Sequence, residues 1–190
     1  VHVVSEVTDA EGDKLGSTAI RQALASGDVA TAARALGRWH AVEGEVVEGA
    51  QRGRTLGFPT ANVRSDGAML PAHGVYAVWV SVTDPDSEHF GALWPGSANV
   101  GQNPTFADGK DTTTGLEVHV IDEDLGPSLY GRRLEIGFVA RLRDERRFDG
   151  PEALVAAIEG DVDAARRRLT EATREGMIVP AREDHSLTLR

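Results

Sequence analysis

Cysteine is absent from this sequence of 190 residues, and its absence excludes several kinds of protein at once. Without thiolates there is no disulfide scaffold, zinc–thiolate site, iron–sulfur cluster or cysteine nucleophile. A chain without cysteine suits a reducing compartment, so we expect a cytoplasmic protein. Long apolar runs are absent too. The run at 75–80 is far too short to cross a bilayer, and we expect no membrane partner.

Basic residues are fewer than acidic ones, with 20 Lys and Arg against 30 Asp and Glu and a formal net charge of -10. Such a chain is repelled by phosphodiester backbones, so no nucleic-acid partner is expected. The histidines, at positions 2, 40, 73, 89, 119 and 185, have none of the spacings of zinc ligands. No Gly-x-Ser-x-Gly motif marks a hydrolase nucleophile. The 41% of hydrophobic residues is enough to bury the core of one domain.

Residues 1–37 have the pattern of a small appendage. Residues 1–7 alternate in the manner of a short strand, and two short helices follow. Helices of about two turns are marginal alone, so these need a partner surface. Their predicted boundaries are marked by cap residues, with Ser17 and Thr18 before the first helix, Gly27 after it, Asp28 before the second and Gly37 after that.

From residue 39 to residue 142 the hydrophobic pattern has period two, which predicts strands. The candidates are 42–47, 74–82, 90–94, 116–121 and 133–142, separated by turn-forming clusters at 84–86, 95–96 and 108–109. Several strands without helices between them favour an antiparallel sheet or closed barrel. A long helix is predicted from Pro151, with an apolar stripe that runs to Leu169. Residues 183–190 are expected to form a loose tail.

Residues 49–62 are rich in glycine and arginine and end in Pro-Thr-Ala-Asn. Glycine lets backbone N–H groups approach phosphate oxygens, and arginine supplies counter-charge. Alternate residues of an extended chain point the same way, so Thr60 and Asn62 could both contact one hard cation. The segment is neither a Walker A loop nor a dinucleotide-binding fingerprint. On composition alone, a solvated loop between two strands is an equal alternative.

Two further segments could carry chemistry. Glu117 lies in mid-strand between apolar residues, and burial would raise the pKa of its carboxyl towards that of a general base. The alternative is a solvent-facing residue paired with an arginine on the next strand. The charged segment 142–148 has the composition of a mobile flap, with Arg143 for anionic groups and Phe148 for stacking. A charged run of this kind is usually a solvated loop between a strand and a helix.

Taken together, these motifs resemble the riboflavin kinase family over about 38–169. The motifs lie in the family's order at 53–62, 74–76, 99–106, 116–119, 129–131, 142–143 and 148–149, and the first, ending Gly-Phe-Pro-Thr-Ala-Asn, is the most specific. Ser-Thr-Ala-Ile-Arg at 17–21 resembles the closing motif of the adenylyltransferase half of bacterial bifunctional riboflavin kinase/FAD synthetases. The sequence departs from that half at Gly16, where the family has serine, and in lacking its His-x-Gly-His-type motif.

The resemblance implies a mainly β fold, a six-stranded antiparallel Greek-key barrel with a C-terminal helix and a short helical N-terminal appendage. It divides the chain into a remnant of an adenylyltransferase domain at 1–37, a riboflavin kinase domain at 38–175 and a tail at 176–190. It also implies that the full-length protein is fused to an FMN adenylyltransferase domain. Conversion of FMN to FAD is not expected from these 190 residues.

The resemblance further implies ATP-dependent phosphorylation of riboflavin to FMN, with ADP as the other product and Mg²⁺ as cofactor. Glu117 would take the proton of the ribityl 5′-hydroxyl, and Thr60 with Asn62 would hold Mg²⁺. Arg143 and Phe148 would contact the flavin. The implied ATP-binding residues are Gly53, Arg54, Gly57, Pro59, Thr60 and Asn62. Two alternatives remain. One is a non-catalytic flavin- or nucleotide-binding barrel, and the other is a regulatory module that docks through the N-terminal helices.

Overall fold

The structure is a computed structural model that describes residues 16–49, 52–65, 67–102, 114–174 and 188–189. The strand predicted at 1–7 and the turn predicted at 108–109 lie outside these ranges. The helices are α1 (Ser17–Ser26), α2 (Val29–Leu36), the single turn α3 (Arg52–Thr55) and α4 (Pro151–Arg174), with a 3₁₀ turn at Gly126–Leu129. The strands are β1 (His40–Val47), β2 (Ala61–Ser65), β3 (Gly74–Val82), β4 (Ala92–Gln102), β5 (Thr114–Val120), β6 (Arg133–Arg143) and β7 (Thr188–Leu189).

Six of these strands close into an antiparallel barrel. The order is β3-β6-β1-β2-β5-β4, and β4 pairs back onto β3. The mainly β class, the six-stranded antiparallel barrel, the C-terminal helix and the N-terminal helices are therefore confirmed. Among the described residues, no helix combines the length and the apolar character needed to cross a membrane.

Alternation along the strands builds two cores. Inward residues such as Val78, Val118 and Phe138 fill the barrel, and Leu24 and Val29 of the N-terminal helices join the same cluster. Outward residues of β3 and β6 form a second cluster against α4, which includes Trp39, Trp79, Val139, Ala165 and Leu169. Since β3 is covered on both faces, all nine of its residues are buried.

The helix ends follow the predicted chemistry at three of four positions. Gly27 and Gly37 end α1 and α2 with φ of 82° and 67°, the left-handed region that favours glycine. The Asp28 carboxylate accepts a hydrogen bond from the Thr31 N–H at 2.9 Å, as an N-cap should. The prediction for Ser17 and Thr18 is wrong. Gly16 is the N-cap of α1, no side chain caps it, and Ser17 is already helical.

Three sequence predictions about the strands need correction. The turn predicted at Pro95-Gly96 is wrong, because the segment lies inside β4, where Gly96 is paired with Val78 of β3 and with Val120 of β5. β2 was not among the predicted strands, since its five residues have no clear alternation of burial. The tail is not wholly loose, because Thr188 and Leu189 pair in parallel with the start of β4.

Candidate functional site

Three polar residues lie in one row across neighbouring strands. Asn62 of β2 is directly opposite Glu117 of β5, and Glu117 is directly opposite Asn99 of β4. Residues opposite one another in antiparallel strands share a face and have Cβ atoms about 5 Å apart. Since Leu116 and Val118 fill the barrel interior, the row lies on its outer face. Asn62 is buried and Glu117 is half-buried, so the carboxylate keeps a path to a ligand.

The segment between β1 and β2 folds back on itself as the single turn α3. The N–H groups of Leu56 and Phe58 donate to the Gly53 carbonyl at 3.1 and 2.9 Å. The Gly57 N–H donates to the Arg54 carbonyl at 3.2 Å, and Gly57 leaves the turn with φ of 87°. The backbone donors of 56–58 are thus used within the turn, whereas the sequence suggested an open loop that could turn them towards phosphate.

Two glycines let this turn pack tightly on the predicted metal-binding residues. The Gly49 backbone lies against the Asn62 side-chain amide with no room for a Cβ. The Gly53 backbone lies equally close to the Phe58 carbonyl, with the Thr60 hydroxyl as its next neighbour. Glycine at 53 therefore lets the turn close on the Phe58 carbonyl beside Thr60, and glycine at 49 leaves room for the Asn62 side chain.

His119 connects this turn to strand β5. Its Nδ1 lies 2.9 Å from the Pro59 carbonyl oxygen, and its ring meets that of Phe58 edge to face, with centroids 5.5 Å apart. His119 is two residues beyond Glu117 and therefore on the same face of β5. In sequence, His119 belongs to the family motif at 116–119 and is excluded as a zinc ligand by its spacing, but no contact of His119 with the turn is predicted.

A small, open cleft lies beside the turn. Its lining includes Arg54, Pro59 and Thr60 on one side and Glu123, Asp124 and Tyr130 on the other. The chain turns after β5 at Asp122, which has φ of 69°. The Asp122 carboxylate forms an ion pair with Arg166 of α4. The hydrogen bond from Arg166 lowers the pKa of the Asp122 carboxyl, so that carboxyl stays ionised at neutral pH.

Arg143 is held by the C-terminal helix. Its Nε and Nη2 donate to the two carboxylate oxygens of Asp161 at 2.8 and 2.7 Å, and its Nη1 donates to the Asp144 carbonyl at 2.9 Å. Arg143 is opposite Val75 on β3, three strands from Glu117 and roughly 14 Å away along the sheet. The structure therefore places Asn62 opposite Glu117, with Thr60 two residues before Asn62, and places Arg143 three strands away.

The loop after β6 extends from Arg143 back towards the row. The guanidinium groups of Arg143 and Arg146 lie 5.7 and 5.0 Å from the centroid of the Phe148 ring. The Glu145 carboxylate packs against the backbone of Gly101, two residues along β4 from Asn99. The loop thus covers the outer face of the barrel beside the row, as a flap would.

Thr60 and Asn62 could hold a divalent cation only if phosphate oxygens also bind that cation. Within the described ranges, no group of three or more His, Asp or Glu side chains could hold a metal ion by itself. Thr60 and Asn62 offer a hydroxyl and an amide oxygen, which are neutral ligands suited to a hard cation. Phosphate oxygens would have to supply the negative charge.

These features define a closed antiparallel β-barrel with a cleft at one side, with the Asn62 amide and the Glu117 carboxylate on neighbouring strands and the Thr60 hydroxyl just before the first of these strands. Groups of these kinds serve in phosphoryl transfer. The model of the flavokinase family, described as riboflavin kinase, matches residues 36–169. The chain belongs to the riboflavin kinase family.

Two curated relatives are named as riboflavin kinases, and one solved structure with a different name is similar to a comparable share of the chain. The chain is 42% identical over 163 residues to the bifunctional riboflavin kinase/FMN adenylyltransferase of Pseudomonas fluorescens, covering 85% of this chain and 49% of that protein. The enzyme of the same name from Escherichia coli (strain K12) is 39% identical over 165 residues, with 86% and 49% covered. The crystal structure of a macrolide-efflux protein from Streptococcus pneumoniae superposes with a TM-score of 0.73 at 36% identity, with 86% of this chain and 50% of that one covered. The chain spans about half the length of the curated relatives it matches.

Proposed function

We propose that this chain transfers the γ-phosphoryl group of ATP to the 5′-hydroxyl of riboflavin and releases FMN and ADP. The observation that carries the proposal is the register that sets Asn62 opposite Glu117 in a member of the riboflavin kinase family. Phosphoryl transfer asks a protein mainly for positioning and charge neutralisation. The hydroxyl oxygen bonds to phosphorus, the bond to the ADP oxygen breaks, and the hydroxyl proton passes to the Glu117 carboxylate.

The phosphates of ATP would lie between the turn and the row. Thr60 and Asn62 would hold Mg²⁺, which when bound neutralises charge on the phosphates. Arg54 lines the cleft beside Thr60 and would add positive charge there, with the nucleoside of ATP in the cleft. The remaining ATP-binding residues would shape the turn, and these are Gly53, Gly57 and Pro59.

The flavin would lie under the loop that follows β6. Phe148 is half-buried and offers a ring for stacking, while the Arg143 and Arg146 guanidinium groups beside it bring positive charge. In the described conformation Arg143 already donates to Asp161 and Asp144. Its contribution to flavin binding would therefore consist largely in holding Phe148 in place.

Residues 1–37 concern a second activity, that of an adenylyltransferase. The named relatives are bifunctional, and we propose that residues 1–37 belong to the end of an adenylyltransferase domain while 38–175 form the kinase unit in a cytoplasmic enzyme. Leu24 and Val29 pack in the same cluster as the barrel interior. The boundary between residues 37 and 38 would thus divide two activities, although α1 and α2 before it pack in the same core as the barrel.

Chromatography of a reaction with riboflavin, ATP and Mg²⁺ tests the proposal. We expect FMN and ADP in equal amounts, and no FAD when FMN replaces riboflavin. The control without Mg²⁺ should give little FMN, since the phosphate charge is then not neutralised. If the folded chain binds riboflavin and ATP without forming ADP, the non-catalytic binding barrel is the correct alternative.

Replacing Asn62 with alanine should weaken ATP binding more in the presence of Mg²⁺ than in its absence, because the amide oxygen is proposed as a metal ligand. Calorimetry with and without Mg²⁺ measures the difference. Asn99→Ala is the matched control, since Asn99 has the same side chain on the other side of Glu117. It should leave the ratio of the two affinities unchanged. Equal losses with and without Mg²⁺ for Asn62→Ala would assign Asn62 a packing role.

A further inference from the structure

We propose that His119 is a positioning residue that orients Thr60 for binding of Mg²⁺ and ATP. The inference rests on the proposed function and adds a residue to it. His119 lies on the same face of β5 as Glu117, and its Nδ1 is 2.9 Å from the Pro59 carbonyl oxygen. One strand thus carries the proposed base and the contact to the proposed ATP-binding turn.

The contact lies where the backbone pairing of β2 with β5 ends. The outermost described pair of these strands is Ala61 with Val118, so the next pair would be Thr60 with His119. The chain instead turns away through Pro59, which has no N–H to offer a ladder. The imidazole of His119 supplies a side-chain hydrogen bond at this point, and it continues the connection between the two strands by about one residue.

A hydrogen bond to the Pro59 carbonyl also restrains the backbone nitrogen and Cα of Thr60. The carbonyl of one residue and the nitrogen and Cα of the next lie in one peptide plane. A bond to the Pro59 oxygen therefore restrains the plane from which the Thr60 side chain departs. The Thr60 hydroxyl lies next to Gly53 on the other side, so the residue sits between α3 and β5.

The ring of His119 adds a second restraint. Its edge-to-face contact with Phe58, at 5.5 Å and 75°, acts on the residue before Pro59. The Phe58 N–H in turn donates to the Gly53 carbonyl at 2.9 Å. His119 thus connects the strand of Glu117 to the closing bond of the turn. Loss of the imidazole should loosen Thr60 without touching the flavin side, since Arg143 and its loop are held by Asp161.

Two substitutions separate the hydrogen bond from the packing. The side-chain amide nitrogen of asparagine can occupy nearly the place of Nδ1 and donate as it does. Phenylalanine keeps a ring against Phe58 but has no donor. We expect His119→Phe to raise the KM for ATP about tenfold, as loss of one hydrogen bond predicts, and to change the KM for riboflavin less than twofold. His119→Asn should keep the KM for ATP within about threefold of the wild type.

Binding gives a readout independent of turnover. Calorimetry of ADP with Mg²⁺ should show the same order of affinities, with wild type and His119→Asn above His119→Phe. Thermal melting checks that each variant is folded, and His119→Leu, which also lacks a donor, replaces His119→Phe if that variant is not. Equal effects of Asn and Phe on ADP affinity, or equal changes in both KM values, would overturn the positioning role. A wild-type chain that makes no FMN would instead refute the proposed function, while the ADP titration would still test His119.

Discussion

Glu117→Gln is expected to lower kcat by about 10² to 10⁴ while riboflavin still binds, because a positioned general base contributes that much to the rate. Glutamine preserves the shape of the side chain between Asn62 and Asn99, which flank it on the neighbouring strands, and keeps one acceptor oxygen while an NH₂ donor replaces the other. What it removes is the capacity to take the proton from the 5′-hydroxyl. Steady-state kinetics with both substrates, together with riboflavin titration, measure the two quantities.

The shorter carboxylate of Glu117→Asp provides the matched variant. It keeps the base and withdraws it by one methylene, so its activity should fall between those of the wild type and the glutamine variant. A glutamine variant that retains more than about a tenth of the wild-type kcat would show that Glu117 is not the base.

The second large effect is expected on stability, at the pair of Arg143 and Asp161. The side chains are only 22% and 11% exposed, so Asp161→Leu would leave a largely desolvated guanidinium without its partner. Breaking such a pair costs about 3 kcal/mol of the free energy of unfolding. Urea denaturation measures it as a lower midpoint at unchanged slope.

The double variant makes this prediction specific. Arg143→Met combined with Asp161→Leu replaces both charges by apolar groups of similar size, and such replacements are often neutral. We expect it to recover most of the stability that Asp161→Leu loses. Strictly additive losses in the double-mutant cycle would mean that the two groups do not interact across the junction of β6 and α4.

Most of the barrel could be predicted because its strands alternate clearly. β3 has the predicted bounds, and β6 ends one residue beyond its prediction. β2 could not be predicted, since adjacent residues Asn62 and Val63 are both buried and its position depends on pairing with β1 and β5. Pro95 followed by glycine is a typical turn pair in sequence. Its place within a strand depends on pairing with β3, which the local sequence does not contain.

In the candidate site, too, some residues could be predicted from the local sequence and others depend on how the strands pair. Residue type and motif were enough to single out Asn62 and Glu117, because the spacing of Asn62 from Thr60 and a carboxylate in mid-strand are both visible in the sequence. The places of Asn99 and His119 depend on register, which a local pattern does not contain. His119 contacts Pro59 across 60 positions of sequence.

Arg143 shows a further limit of local patterns. In sequence it belongs to a charged run, and an anionic ligand is a natural partner for it. Its partner in the structure is Asp161, a buried acid on α4. An acid within an amphipathic helix is usually counted on the solvent face. Only the packing of α4 on the barrel reveals that this one faces inward.

The order of the strands also determines when the site can exist during folding. β1 must wait for β6, since His40 pairs with Phe138, and the pairing of Asn62 with Glu117 likewise spans a long loop. Closing such loops costs entropy before any contact repays it, which slows the folding of barrels relative to helical bundles. On a ribosome, the proposed nucleotide turn emerges long before the strand that carries its carboxylate. The two halves of the site therefore meet only in a nearly complete barrel, and partly folded chains present neither substrate with a usable site.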